Sequence, residues 1–214
     1  MATKLYAVLI ADVVGSSAQR NLRHSLAQML SRASRIHLRQ NHILLPYSVT
    51  AGDEFQTITA QLSAIPRILL GLRVMFQPLS LRIGIGIGQV PGRIRRPVNE
   101  LNGEAFQFAR SALDRVKSGR PFKFETLTSF VSANAAFNDA INLIYGLNDT
   151  LVLGVTASQW QTIAAALDSG SLERAAKHLR LDISTVSRNL KRGCYWQQLE
   201  TVKATESLIL RAFS

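Results

Sequence analysis

Cysteine is almost absent from this sequence of 214 residues, in which Cys194 stands alone. One cysteine cannot form an internal disulfide, and the four histidines are scattered along the chain without a zinc-binding spacing. The composition therefore excludes a disulfide-stapled scaffold and a zinc finger. It favours a reducing, cytoplasmic location.

Acidic residues and long apolar runs are also scarce. The chain has 14 acidic residues against 25 Lys and Arg, which gives a formal charge of +11. It contains no apolar run of about 18 residues, the length that a membrane-spanning helix needs. The apolar stretch near the N-terminus contains Asp12, which is unlike a signal peptide. We therefore expect a globular protein with a polyanionic partner and no membrane span.

Hydrophobic patterns over residues 1–148 predict an α+β domain. The order strand, helix, strand, strand, helix, strand is that of a ferredoxin-like fold, extended by a third helix and a further strand. The predicted helices are Ala18 to Asn41, Gln61 to Phe76, Asn102 to Lys117 and Thr128 to Tyr145, the further strand is "PFKFETL" (121–127), and Gly146 to Thr150 is a linker.

One predicted strand, "LSLRIGIGIGQV", has an apolar face and a face of alternating glycines. Gly84, Gly86 and Gly88 point to the same side of the sheet because side chains alternate along a strand. Such a face either lets a helix pack very closely or lets a ligand approach the backbone. Close helix packing is the commoner of the two arrangements.

The first strand, "YAVLIADVV", carries a carboxylate, Asp12, at its end. In the usual ferredoxin-like strand order, 4-1-3-2, the hairpin at Gly52 and Asp53 lies next to that strand end. Two neighbouring carboxylates repel each other unless a cation lies between them, so the order predicts a shared divalent ion such as Mg²⁺. Alternatively, Asp12 caps the following turn and Asp53 is an ordinary hairpin residue.

Four segments, "ADVVGSS", "VTAGDEFQ", "LRIGIGIG" and "GEAFQFARSAL", together resemble the SatD family. The resemblance implies a palm domain similar to class III nucleotide cyclases, followed by a helix-turn-helix. It places Asp12 and Asp53 on the metal positions and implies a nucleoside triphosphate or related nucleotide as ligand. The residues that it places near the nucleotide are Gly15, Ser16, Ser17, Gly52, Glu54, Gln107 and Arg110.

The chain departs from the cyclase pattern on the helix that follows Gly103. The cyclases have an Asn there and an Arg four residues later, where this chain has Gln107 and Ser111. Val49 also stands where a Lys that selects adenine is expected. We therefore expect nucleotide binding without efficient turnover, and an active cyclase or nucleotidyltransferase is the alternative.

Residues 149–214 show helical patterns and no strand, so we treat them as a second, all-α domain. The segment "AAKHLRLDISTVSRNLKR" has the apolar spacing and the turn of a helix-turn-helix, with Asp182 or Ser184 as the cap of its second helix. That helix would enter the major groove of duplex DNA. The predicted base contacts are Ser184, Thr185, Ser187 and Arg188, and the predicted phosphate contacts are Lys191 and Arg192.

The sequence thus favours a DNA-binding transcriptional regulator with a nucleotide-binding, cyclase-like domain. A plain three-helix docking module, and hence a non-catalytic interaction protein, is the competing interpretation. The last helix, Cys194 to Phe213, has an apolar stripe that would either pair two chains in a homodimer or close the module.

Overall fold

A computed structural model describes residues 4–16, 22–95, 97–119 and 122–213. The strands are β1 (Leu5–Val13), β2 (Ser48–Ala51), β3 (Glu54–Thr59), β4 (Leu81–Gln89) and β5 (Thr128–Ser132). The helices are α1 (Leu22–Arg39), α2 (Ile65–Met75), α3 (Glu104–Lys117), α4 (Ala135–Leu153), α5 (Ala157–Ser169), α6 (Leu172–Leu179), α7 (Ile183–Arg192) and α8 (Tyr195–Phe213).

The five strands form one sheet in the order β2-β3-β1-β4-β5. Its inner part has the predicted 4-1-3-2 arrangement, and β5 adds a parallel strand beside β4. Alternate side chains of β1 point to opposite faces, so Leu9 joins the larger core with α1, α2 and α4, whereas Ile10 joins the smaller core under α3. The α+β, ferredoxin-like fold is confirmed.

The strand predicted at residues 121–127 is wrong, because β5 begins at Thr128. The rings of Phe122 and Phe124 stack with centroids 5.1 Å apart and lie against Gly146 of α4. These aromatic residues therefore cover a helix instead of pairing in the sheet. The helix predicted from Thr128 begins only at Ala135, where the side chain of Asn134 caps it by accepting a hydrogen bond from the Phe137 N–H.

The linker predicted at Gly146 to Thr150 is also wrong, since this segment is an internal part of α4. Asp149 is fully buried there and forms an ion pair with Arg73 of α2. Polar residues and a glycine suggested a loop here, but the ion pair with Arg73, which is distant in the sequence, holds this segment in the helix. How the chain divides into domains stays a prediction, and α4 runs continuously past the expected boundary.

Helices α5, α6 and α7 form the predicted helical region around a core that includes Trp160, Ala175 and Val186. Arg180 ends α6 in the left-handed conformation, and Asp182 caps α7 by accepting a hydrogen bond of 2.7 Å from the Ser184 N–H. This is the helix-turn-helix order that the sequence indicated. Ile183, the first residue of α7, is 48% exposed and does not join this core.

Helix α8 belongs to both parts of the molecule. Tyr195 at its start packs on the core of the helical region, and Ile209 near its end is fully buried in the core of the sheet. Phe213 meets Phe137 of α4 with ring centroids 4.8 Å apart. The apolar stripe of α8 is therefore covered within the chain, and a homodimer stays a prediction.

Within the described ranges, no single helix is both long and apolar enough to cross a membrane, and α4 and α5 meet that criterion only as a pair bent by 116°.

Candidate functional site

The candidate site lies where β1 ends and β3 and β4 begin, on the face of the sheet that α3 covers. Asp12 of β1 is in register with Arg82 of β4, so the two side chains lie side by side on that face. Glu54 is the first residue of β3, one step beyond the last pair between β1 and β3, which joins Ala11 to Phe55. Three charged residues therefore gather at one end of the sheet.

Asp12 is almost fully buried, and the protein supplies its counter-ions. Its Oδ2 lies 2.9 Å from Lys117 Nζ, and its Oδ1 lies 3.2 Å from Arg82 Nε. The contact with Arg82 is close but is not aligned as a hydrogen bond. Partial burial by itself would lower the pKa of Lys117. The hydrogen bond to Asp12 and the charges of Asp12 and Glu54 act in the opposite direction, and the net result is a raised pKa for this ammonium group.

Glu54 is held by Arg110 of α3 through two hydrogen bonds of 2.6 Å, one to each carboxylate oxygen. Thr50 donates a third hydrogen bond of 2.8 Å, and Lys117 Nζ lies 3.5 Å away. The bond from Arg110 lowers the pKa of Glu54, and the same bond raises the pKa of Arg110. Both residues were predicted to contact a nucleotide, and here they contact each other.

Asp53 approaches the end of β1 as the strand order predicted. Its Oδ2 accepts a hydrogen bond of 2.9 Å from the backbone N–H of Val13, the residue after Asp12. Gly52 and Gly15 both have positive φ, 60° and 68°, which is the conformation that turns at these positions require.

The turn after β1 contains the remaining predicted nucleotide contacts. Gly15 is exposed and Ser16 is half-buried, so both are near the surface at this end of the sheet. Ser17 lies outside the described residues.

The resemblance implies Mg²⁺ at Asp12 and Asp53, and the charges around these residues test that implication. Across the described part of the chain, no three His, Cys, Asp or Glu side chains are grouped as metal ligands. Both oxygens of Asp12 already face protein cations. A divalent ion would be repelled by Lys117 and Arg82 at this distance, so the arrangement does not fit a resident metal unless one of them moves away.

The glycine face of β4 is used for helix packing. A Cβ at Gly84 or Gly86 would overlap backbone atoms of α3, including the Ala109 oxygen and the Leu113 nitrogen. The helix therefore lies directly on the strand, and this face leaves no room for a ligand. Of the two arrangements considered, close packing is the one that the molecule has.

The outer face of α3 is open. Gln107, Arg110 and Ser111 are exposed there and line a shallow groove with Phe106 and Arg115. A ligand that contacts Gln107 and Arg110 would lie in this groove, on the side of α3 away from the sheet.

Sequence reasoning missed two residues of the charged cluster, Arg82 and Lys117. Arg82 had a signal, because it alternates with the glycines and so shares their face of β4. Lys117 had a weaker one: it follows Arg110 by seven residues, about two turns of helix, and so lies on the same side of α3. Neither pattern alone shows that Asp12 is the partner.

The predicted DNA contacts lie on the surface of α7. Ser184, Arg188, Lys191 and Arg192 are exposed, whereas Thr185 and Ser187 are half-buried. None of the cations of α6, α7 and the turn between them is in an ion pair with a described residue. These cations are Arg174, Lys177, Arg180, Arg188, Lys191 and Arg192.

The strand order, the closely packed α3 and the acidic residues at the ends of β1 and β3 define a cyclase-like palm domain, which is joined here to a C-terminal helical region. A family model matches residues 6–209, and the chain belongs to the SatD family. No curated protein sequence matches the chain.

Solved structures similar to this chain include a bacterial light-regulated adenylyl cyclase, at 15% identity and a TM-score of 0.42 over 59% of this chain and 74% of that one. Adenylate cyclases from Trypanosoma brucei are similar at 14% identity and a TM-score of 0.39, covering 50% of this chain and 68% of that one. A regulator of polyketide synthase expression from Bifidobacterium adolescentis covers 95% of this chain and 85% of its own at 18% identity, with a TM-score of 0.30. At such identities the likeness extends to the fold alone.

Proposed function

We propose that this protein is a DNA-binding transcriptional regulator that uses α7 as its recognition helix. The observation that carries the proposal is the surface of α6, α7 and the turn between them, where six cations are exposed and none forms an ion pair with a residue that the structure describes. Only Glu173 and Asp182 oppose them within this motif, which leaves a local charge of six minus two, or +4. The exposed Ser184 and the half-buried Thr185 lie at the start of α7 and cations lie at its end, an arrangement that suits base contacts followed by phosphate contacts.

A salt series on duplex DNA tests the proposal. A preferred duplex is first selected from a random pool, and binding is then measured by fluorescence anisotropy against a scrambled duplex of the same composition. Affinity should fall by about 0.9 log unit per log unit of salt for each phosphate neutralised, and the preferred duplex should bind more tightly at every salt concentration. Binding to neither duplex in dilute salt would favour the protein-docking interpretation instead.

We further propose that the cyclase-like domain binds a nucleotide without efficient turnover. The exposed groove with Gln107 and Arg110 supports binding, because an amide can contact a base edge, and the guanidinium of Arg110, which donates two of its five N–H groups to Glu54, has others left for a phosphate. Weak turnover is supported by Ser111, which carries no charge, and by Arg110, whose guanidinium is engaged by Glu54. The loss of one contact that stabilises transition-state charge typically lowers a rate by a factor of about 10² to 10³.

Two measurements test the nucleotide proposal. Calorimetric titration with each of the four nucleoside triphosphates, with Mg²⁺ and separately with a chelator, should show saturable binding of at least one of them. Incubation with the same triphosphates followed by chromatography should show little product. Rapid formation of a cyclic or oligomeric product would establish the alternative, an active cyclase or nucleotidyltransferase.

A further inference from the structure

Ile183 is an apolar residue at an exposed position of the helix-turn-helix. It is the first residue of α7, and it is 48% exposed. The other apolar residues of this helix, Val186 and Leu190, are fully buried in the core of the helical region. Ile183 belongs neither to that core nor to the half-buried residues that pack on it. Its side chain therefore contributes little to the packing of α7 and is free to contact a partner.

Ile183 shares a face of α7 with the predicted base contacts. Residues four apart lie one above the other on a helix, so Ile183 is next to Ser187. By the same spacing Ser184 is next to Arg188, in the neighbouring row. The side chain of Asp182 accepts a hydrogen bond from the Ser184 N–H, which fixes the first turn of the helix. DNA that contacts Ser184 and Ser187 would therefore also contact Ile183.

The charge around Ile183 favours DNA over a protein as the partner. Six exposed cations lie on α6, α7 and the turn between them, and the motif has a local charge of +4. Such a surface attracts the phosphate backbone of a duplex. In the major groove thymine presents a C5-methyl group, which is the part of a base edge that an apolar side chain contacts. An exposed isoleucine within a cationic surface matches that combination of phosphate and methyl group.

We propose that Ile183 packs against the C5-methyl group of a thymine in the major groove and so selects an A·T pair at one position of the site. The inference rests on the proposed DNA binding and adds an apolar base contact to it. Ile183 cannot donate or accept a hydrogen bond through its side chain. Against guanine, adenine or cytosine it would cover polar atoms without replacing their contacts with water, and this cost is the source of the selectivity.

Uracil substitution in the DNA tests the contact, because deoxyuridine differs from thymidine only in lacking this methyl group. The thymines of the preferred duplex are replaced by uracil one at a time, and binding is measured by fluorescence anisotropy. At one position uracil should weaken binding of the wild-type protein by about fourfold, the factor that corresponds to one buried methyl group. Ile183→Ala should bind the thymine and uracil duplexes equally at that position.

Leu167→Ala is the matched control. It removes an apolar side chain that is 37% exposed on α5, in the same helical region but outside the helix-turn-helix, and it should keep the full uracil effect. Ile183→Val shortens the side chain by one carbon and should show a smaller uracil effect than the wild type. It is measured in parallel, so that a failure of the alanine variant to fold, seen by circular dichroism, does not end the test.

The outcomes separate the thymine contact from DNA binding itself. If no duplex is preferred over scrambled DNA, the proposed function is wrong and the thymine contact is wrong with it. If a preferred duplex exists but no uracil weakens binding, the thymine contact alone is overturned. The same holds if uracil weakens binding of the wild type and of both Ile183 variants equally.

Discussion

Arg73 of α2 and Asp149 of α4 form an ion pair that is closed off from solvent, with side-chain exposures of 7% and 0%. Their charged atoms are 3.3 Å apart, and the backbone N–H of Leu127 donates a further hydrogen bond of 2.7 Å to Asp149. Burial raises the pKa of Asp149 and lowers the pKa of Arg73, and in each case the charge of the partner opposes that shift. The pair fixes α4 against the sheet at the point where the sequence suggested a linker.

Replacing Asp149 should therefore destabilise the folded protein. Asp149→Asn leaves the guanidinium of Arg73 buried without a counter-ion, and we expect the free energy of unfolding to fall by about 3–5 kcal/mol. Urea denaturation followed by circular dichroism measures it. Glu206→Gln is the control, because its partner Arg67 is 57% exposed, and it should cost less than about 1 kcal/mol. Equal losses in the two variants would contradict this account.

Adding a methyl group at Gly86 should push α3 off the sheet. A Cβ there would overlap the backbone oxygen of Ala105 and the backbone nitrogen of Ala109. We expect Gly86→Ala to lower the free energy of unfolding by about 1–3 kcal/mol or more. In Gly154→Ala the nearest atom, the Leu151 oxygen, lies 3.6 Å from the new carbon, so this variant should change the thermal midpoint very little. A Gly86→Ala protein as stable as the wild type would show that α3 does not lie this close.

The buried histidine of α1 should make stability depend on pH. Burial, with a smaller contribution from the charge of His42, lowers the pKa of His37 from 6.5 to about 4, and His37 Nδ1 lies 2.8 Å from the Tyr47 hydroxyl oxygen. The unfolded chain therefore binds a proton at a higher pH than the folded chain, so stability falls as the pH drops from 6.5 towards 4. The loss should reach about 3 kcal/mol.

Urea denaturation at about pH 7 and about pH 4.5 measures this loss. His37→Gln should remove most of the difference between the two conditions. His24→Gln, which changes an exposed histidine of the same helix, should keep it. If His37→Gln retains the full difference, other groups cause it instead, such as the carboxylates or His42, whose pKa burial also lowers.

Two cations of α7 should affect DNA binding differently. Arg188 is expected to face base edges, so Arg188→Ala should lose roughly 1–3 kcal/mol on the preferred duplex and little on scrambled DNA. Lys191 is expected to face phosphates, so Lys191→Ala should weaken binding to both and flatten the salt slope by about one. The anisotropy series compares both variants with the wild type. If Arg188→Ala weakens binding to the preferred and scrambled duplexes equally, Arg188 does not contact a base edge.

Tryptophan fluorescence offers an independent test of where DNA binds. Trp160 is 3% exposed in the core of the helical region, whereas Trp196 is 45% exposed and lines a shallow groove with Lys191. Adding the preferred duplex should therefore change the emission of Trp196 alone, and Trp196→Phe should abolish the change. An unchanged wild-type spectrum at saturating DNA would place the interface away from this end of α8.

Much of the local structure could be predicted from the sequence. A continuous apolar run identified β1, alternation of apolar residues with glycines identified β4, and the order of elements predicted the strand arrangement that brings Asp53 to the end of β1. The apolar spacing of α6 and α7, with Asp182 between them, predicted the helix-turn-helix. These features depend on contacts between residues close in the chain, or on a topology with few alternatives, so patterns in the sequence are enough to find them.

Only the tertiary structure decided the partners of the charged residues and the ends of β5 and α4. The sequence predicted a metal at Asp12, but the counter-ions of this carboxylate are Lys117 of α3 and Arg82 of β4. The segment with Gly146 and Asp149 was predicted to be a linker. It is helical because the rings of Phe122 and Phe124 pack on Gly146 and the buried Arg73 pairs with Asp149. The physical reason is the same in both cases: a buried charge or a bare glycine is stable only with a particular neighbour, and that neighbour is distant in the sequence.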